Sequence, residues 1–287
     1  MMFVKSTKRL TQVLLFIALS FISPLYAKPA LQYLPVSVQL WSVKDELTKD
    51  FDGTLQALAS MGFEGVEFAG NFGSYTDNPS KLKQRLAKLG LVASSAHVGF
   101  DALAEDKLTS TLLFYKTLGV SALFIPWDER AWSNNHVPTF VKQLNYVHQV
   151  AKRYDMKIGF HNHEKEFNAY AASTFWDYIA TNTPNDLPLQ LDVGWVNYAG
   201  KSAREYVKRY AGRTVSTHIK IRTHQGDGKS PIIGENAYPW KTLIQTMQQH
   251  GGTQWLVIEQ EEYPNGLTPL ESVARSKANL DKILGEQ

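Results

Sequence analysis

The stretch GFHNHEKEF (159–167) places His161, His163, Glu164 and Glu166 within six positions. Imidazoles and carboxylates at such density can hold a divalent cation or pass protons between carbon and oxygen. The preceding KIGFH (157–161) reads as a short buried strand, so the cluster begins where a strand ends. Other apolar runs end in the same way. Asp192 lies near the end of PLQLDV (188–193), His218 and Lys220 lie in VSTHIKI (215–221), and Glu259 lies in WLVIEQ (255–260). Upstream, Glu67 sits in GVEFA (65–69) and His97 closes LVASSAH (91–97). Trp41 closes VSVQLW (36–41) and Trp127 closes SALFIPW (121–127).

Ionisable groups in apolar strands are costly unless paired, hydrogen-bonded or bound to metal. Each has a purely structural alternative. Glu67 could pair with a lysine, His97 could be a hydrogen-bonded core histidine, and Asp192 could cap a turn ahead of Gly194. Six such residues at matching positions are hard to explain by structure alone. Two or three carboxylates with an imidazole suit one divalent metal ion (Mn²⁺, Co²⁺, Zn²⁺ or Mg²⁺). His136, His148, His224 and His250 fall in loops or on helix faces and are expected to be solvated. DER (128–130) and EEY (261–263) read as loop charge that could also rim a pocket.

The elements that must position these residues alternate along the chain. Eight strand candidates, the runs named above, are each followed by a helical pattern. FDGTLQALASMGF, PSKLKQRLAKLGL and TSTLLFYKTLGV are amphipathic or stop at glycine. PTFVKQLNYVHQVAKRYDM, TFWDYIATN, SAREYVKRYAG, YPWKTLIQTMQQHGG and PLESVARSKANLDKIL complete the set. Eight strand–helix units predict a single closed (β/α)8 TIM barrel over residues 28–287, with the site at the C-terminal ends of its strands. A doubly wound open sheet would need a glycine-rich first turn, which is missing.

Residues 1–27 read as a signal peptide: Lys5, Lys8 and Arg9, then the apolar LTQVLLFIALSFI and a small residue at Ala27. The apolar run is short for a bilayer core of roughly 30 Å, so a cleaved leader and a periplasmic or secreted product are expected, with no stable membrane association afterwards. The leader carries three of the 30 Lys+Arg residues and none of the 27 Asp+Glu residues, so the remainder is near neutral. That argues against nucleic acid as a partner. The chain has no cysteine, which excludes disulfides and thiolate metal sites.

Taken in order, VQLWSVKDEL, GVEF, SSAHVGF, GFHNHEKEF, LDVGW, HIKI, IGENAYPW and VIEQE resemble the sugar phosphate isomerase/epimerase family of the xylose isomerase-like TIM-barrel superfamily. Inosose dehydratase and ketose 3-epimerases are relatives. The resemblance covers essentially the whole chain after the leader. It implies a divalent metal held by Asp192, His218, Glu259 and a fifth-strand carboxylate. His161 stands where several relatives have that carboxylate. Glu166, in the HNHxxEF pattern, is the expected substitute, with His161, His163 or Glu164 as alternatives. The resemblance further implies Glu166 and Glu259 as acid/base groups and His97 and Lys220 as groups that orient or protonate substrate. Glu67, His161 and His163 would bind substrate hydroxyls, and Trp41, Trp127 and Trp195 would wall the pocket. The expected activity is isomerisation or epimerisation of an unphosphorylated sugar through a metal-stabilised enediolate. The alternatives are a lyase or hydratase acting on a keto-glycoside or an inosose, and a non-catalytic sugar-binding barrel. A homodimer is compatible with the family.

Overall fold

The computed structural model describes residues 33–223 and 230–285; the proposed leader and His224 lie outside the described residues. Eight parallel strands close into a barrel in sequence order: Val36–Gln39, Gly65–Phe68, Val92–His97, Ala122–Ile125, Lys157–His161, Leu189–Asp192, Ser216–Ile219 and Trp255–Ile258. Closure is made by the first and eighth strands, which pair Val36 with Leu256 and Val38 with Ile258. The expected barrel is therefore the observed fold. The strands are shorter than the apolar runs suggest. Trp41, Trp127, Lys220 and Glu259 lie one or two residues beyond the last ladder pairs, where the diverging chains leave room for large polar side chains.

The helices bury their apolar stripes against the outer face of the barrel. Leu55 and Leu58, Leu82 and Leu86, Leu112 and Leu118, and Phe140 and Leu144 are all buried. Phe140 meets Phe160 of the fifth strand edge-on at 4.8 Å. His148 is buried, contrary to the solvated position expected of it. It sits on the inner stripe of the helix Val137–Lys152 with Leu144 and Ala151, and its ring pairs with the Ile158 carbonyl at 2.8 Å. His136 and His250 are exposed, as expected.

The inside of the barrel is polar at several levels. Ser37 and Ser94 share a hydrogen bond of 2.7 Å across the lumen. Gln39 donates to Glu67 at 2.7 Å, and Gln190 donates to Glu67 at 2.7 Å and to Ser216 at 2.9 Å. This packing fixes the heights of the first, second, sixth and seventh strands relative to one another.

Two features hold the segment that carries the 161–166 cluster. Gly159 lets the fifth strand press against its neighbour, because a Cβ there would lie 2.1 Å from the Pro188 carbonyl oxygen. Downstream, Thr174 caps the helix Phe175–Thr181. Asp177 in that helix accepts hydrogen bonds from Ser173 (2.5 Å), Thr174 (2.6 Å), Arg209 (2.9 Å) and Tyr210 (2.5 Å). Burial alone would raise the Asp177 pKa, but these donors bring it down to about 2.

Gly159→Ala should cost about 1–3 kcal/mol, because the clash is with backbone that cannot rotate away. Thermal unfolding should show a clear drop in Tm, and an unchanged Tm would contradict the close approach. Asp177 supplies a second check. Its depressed pKa means that its stabilisation is present above the ordinary aspartate value near 4 and is lost as pH falls towards about 2. Asp177→Asn should therefore be destabilised by about 1–2 kcal/mol at neutral pH, and the difference from the parent should shrink below pH 3 in urea titrations.

Candidate functional site

The C-terminal mouth of the barrel gathers the residues that the chain scatters. Asp192, His218 and Glu259 bring their ligand atoms within 4.8 Å of one another, and so do His97, His161 and His218. Lys220 lies among the carboxylates. Its ammonium contacts Glu259 Oε2 at 2.7 Å, Asp192 Oδ2 at 3.1 Å and Glu261 Oε2 at 2.5 Å. Gly194 in LDVGW makes room for that side chain, since a Cβ there would lie 2.7 Å from Lys220 Cγ. His218 spans the lumen, with Nε2 at 2.5 Å from Glu67 Oε1 and Nδ1 at 3.0 Å from Glu259 Oε2. Asp192 serves both readings offered by the sequence. Its Oδ1 accepts from the Trp195 N–H at 2.9 Å, while Oδ2 turns into the cluster.

Burial and neighbours set the charge states. Burial would raise the Glu67 pKa, but His97 and His218, with the Ser95 hydroxyl, lower it to about 2. Burial disfavours charge on His218, yet Glu259, Glu67 and Asp192 raise its pKa well above the usual value and make it an imidazolium. Lys220 is likewise held charged by Asp192, Glu259 and Glu261 against the cost of its burial. His161 and His163 stay neutral. Burial and the neighbouring His218 lower the His161 pKa well below normal. Burial and Lys220 take that of His163 to about 4. Burial also raises Glu166 to about 8, so its carboxyl is largely protonated at pH 7.

A cavity of about 440 Å³ opens over this cluster, large enough for a sugar ring. His161, His163, Trp127 and Pro126 line one side, Glu259 and Glu261 another, and Trp41, Ala69, Gly70 and His97 complete it. Trp195 packs behind this wall, between Lys220 at 5.1 Å and Arg222 at 4.5 Å from its ring. Glu166 stands apart from the Asp192–His218–Glu259 group. Its Oε2 accepts from the His163 N–H at 3.0 Å, and its buried Oε1 has no hydrogen-bond partner.

The donor set fits a divalent cation. Asp192 Oδ2 is buried and held only by ion pairs, with Lys220 at 3.1 Å and His218 Nδ1 at 3.6 Å, and the Glu259 carboxylate and the His218 imidazole lie beside it. Asp192, His218 and Glu259 would hold the ion. Loading it would require a proton to leave His218 and the Lys220 ammonium to give way. Sequence reasoning missed two participants and undervalued a third. Glu261 was read as loop charge that could also rim a pocket, and it does line the cavity, where it binds Lys220. Gln39 and Gln190 carry no charge to mark them, although Gln190 accepts at Oε1 from His97 (2.7 Å) and His161 (3.0 Å).

The fold and the site define a closed α/β barrel with a cluster of carboxylates, imidazoles and one lysine at its C-terminal mouth. The chain belongs to the xylose isomerase-like TIM barrel family, whose model matches residues 55–283. It is 20% identical over 268 residues to inosose dehydratase of Salmonella agona, covering 80% of this chain and 87% of that one. It is 24% identical over 286 residues to inosose dehydratase of Lacticaseibacillus casei, covering 85% and 94%. A sugar phosphate isomerase/epimerase structure from Parabacteroides distasonis superposes with a TM-score of 0.74 at 22% identity, covering 88% of this chain and 98% of that one. An L-ribulose 3-epimerase structure gives a TM-score of 0.63 at 16% identity, covering 88% and 95%.

Lys220→Met should leave Asp192, Glu259 and Glu261 without their shared cation. In metal-free buffer the loss should be about 3–5 kcal/mol, read by urea unfolding. A variant within about 1 kcal/mol of the parent would show that the Lys220 ammonium is not what holds these three carboxylates together.

Proposed function

We propose that the protein is a carbohydrate lyase that removes a proton next to a ketone of a sugar or polyol and expels the oxygen substituent one carbon further on. The observation that carries this reading is the asymmetry of the cavity, with the Glu259 carboxylate beside the Lys220 ammonium on one side and the His161 and His163 imidazoles on the other. The hydrogen bonds that Glu259 accepts from His218 and Lys220 both fall on Oε2, which leaves Oε1 to take the α-proton. The Lys220 ammonium lies beside the position where enolate charge develops, and a fixed cation there stabilises the transition state more than the ground state. His161 and His163 hydrogen-bond substrate hydroxyls and orient the leaving oxygen. Trp41 and Trp127, each 46% exposed at the rim, offer flat faces to the ring. A divalent cation held by Asp192, His218 and Glu259 would polarise the ketone when bound. The curated relatives named inosose dehydratase support elimination over the isomerisation first expected from the sequence. Isomerisation or epimerisation of a keto-sugar is the second reading, favoured by the isomerase and epimerase structures that share this fold and by the same first proton transfer. The basic, apolar N-terminal segment supports an exported enzyme with an unphosphorylated substrate.

The test is incubation of metal-supplemented enzyme in D₂O with an inosose and with keto-sugars, followed by NMR and ultraviolet absorbance. Elimination should give a conjugated enone, and Glu259→Gln should slow it by about 10²–10⁴-fold. Deuterium at the α-carbon with no enone would select isomerisation or epimerisation, and neither signal would refute an enzyme of this kind. Metal analysis supplies a separate check. Asp192→Asn and His218→Ala should each lose bound divalent metal, and full retention in both would remove these residues as ligands.

A further inference from the structure

A second cavity, also about 440 Å³, adjoins the first and shares Trp41, Ala69 and Gly70 with it. It lies over the loops that follow the first and second strands. Its lining mixes aromatic and aliphatic surface from Phe72, Leu40 and Leu47 with hydrogen-bonding groups from Lys44, Thr48, Asn71 and Thr76. That mixture suits a sugar, which offers an apolar face and a ring of hydroxyls. Trp41 forms the partition. Its indole is 46% exposed although it lies between two cavities, and Lys44 holds its ammonium 4.4 Å from the ring centroid. Trp41 thus offers an aromatic face on which a sugar ring can stack at the boundary of the two cavities. An inosose or a free monosaccharide is a single ring, whereas the two adjoining cavities together offer room for two.

We propose that the outer cavity is a binding subsite for a second sugar ring, so that the substrate is a two-ring glycoside whose inner ring carries the ketone. This rests on the lyase reading of the inner cavity and names its substrate class. The inner ring sits over Glu259, and the outer ring crosses the Trp41 partition to reach Lys44, Thr48 and Thr76. With the ketone two carbons from the glycosidic carbon, removal of the intervening C–H proton forms the ring C=C. The glycosidic C–O bond breaks, and its oxygen leaves with the electron pair and takes up a proton. The outer ring departs as an alcohol, the inner ring remains as an enone, and no oxidant or reductant is consumed. An oxidation of a ring hydroxyl to a ketone must then supply the substrate.

Binding of unreactive probes tests the proposal. Full-length protein is titrated by calorimetry or saturation-transfer NMR with myo-inositol and glucose as single rings, and with cellobiose, maltose and trehalose as double rings. At least one disaccharide should bind about tenfold more tightly than either single ring. Thr76→Phe and Thr48→Phe, substitutions at exposed positions that fill the outer cavity, should each bring that ratio towards one. Single rings that bind as well as every disaccharide would overturn the outer subsite and leave the lyase reading standing. So would a disaccharide preference that both variants retain. Failure of every probe to bind, together with no turnover of an inosose or a keto-sugar, would overturn both.

Discussion

A charge buried in the lumen of a closed barrel is largely cut off from solvent, so it must find its counter-charge in the same cavity. This constraint governs the molecule. Glu67, Asp192 and Glu259 are buried carboxylates, and the cations available to them are Lys220 and His218. His218 touches Glu67 with one nitrogen and Glu259 with the other, and Lys220 takes Glu259, Asp192 and Glu261. Removing either cation strands at least two negative charges in low dielectric. The other protonation states follow. With two cations already in place, a third beside them is unfavourable, so His161 and His163 stay neutral. Glu166 has no cation within this arrangement and keeps its proton near neutrality.

The polar interior also couples stability to site geometry. Gln190 receives His97 and His161 on one atom and donates to Glu67 and Ser216 from the other, so one amide ties residues of the second, third, fifth and seventh strands. A shift of any strand along the barrel axis would break several of these bonds at once. The ladder contributes the same rigidity from outside: Leu191 opposes Thr217 and Asp192 opposes His218 in the pairing of the sixth and seventh strands. Precision at the mouth therefore comes from regular strands rather than from loops.

The sequence carried the barrel in full because eight apolar runs alternate with eight amphipathic ones, a pattern that few topologies satisfy. It carried much of the site for a related reason. An ionisable residue stands out against Val, Ile and Leu, and Asp192, His218 and Glu259 each interrupt or end such a run. Gln39 and Gln190 were invisible because a neutral amide at the same positions raises no alarm. Glu261 was hidden in a glutamate pair that reads as solvated loop, since only the fold shows that Lys220 reaches it. His148 was misplaced because one imidazole among the heptad-like apolar positions of a helix looks like the edge of a stripe rather than its centre. Glu166 stands outside the carboxylate–imidazole group because the 3₁₀ turn Lys165–Phe167 directs its carboxylate towards the His163 amide, a local detail that spacing does not encode.

The choice between elimination and epimerisation turns on the imidazole wall. Epimerisation must deliver a proton to the face opposite the one deprotonated, so each face needs a group that exchanges protons near the working pH. Glu259 lies on one face, where burial would raise its pKa but Lys220 and His218 hold the carboxyl well below the usual carboxylate range, so it too is a weak base. On the other, His163 has a pKa of about 4 and lines the cavity, so its protonated form costs about 4 kcal/mol at pH 7. A neutral imidazole of that kind is a weak base and a fair hydrogen-bond partner. It can steady a hydroxyl or a departing oxygen far more readily than it can store a proton between turnovers. Elimination asks less of both faces, because the α-proton need not be stored between turnovers and can leave with the expelled oxygen. On the proposed lyase reading, Glu259 passes that proton on, while the Lys220 ammonium beside it stabilises the enolate.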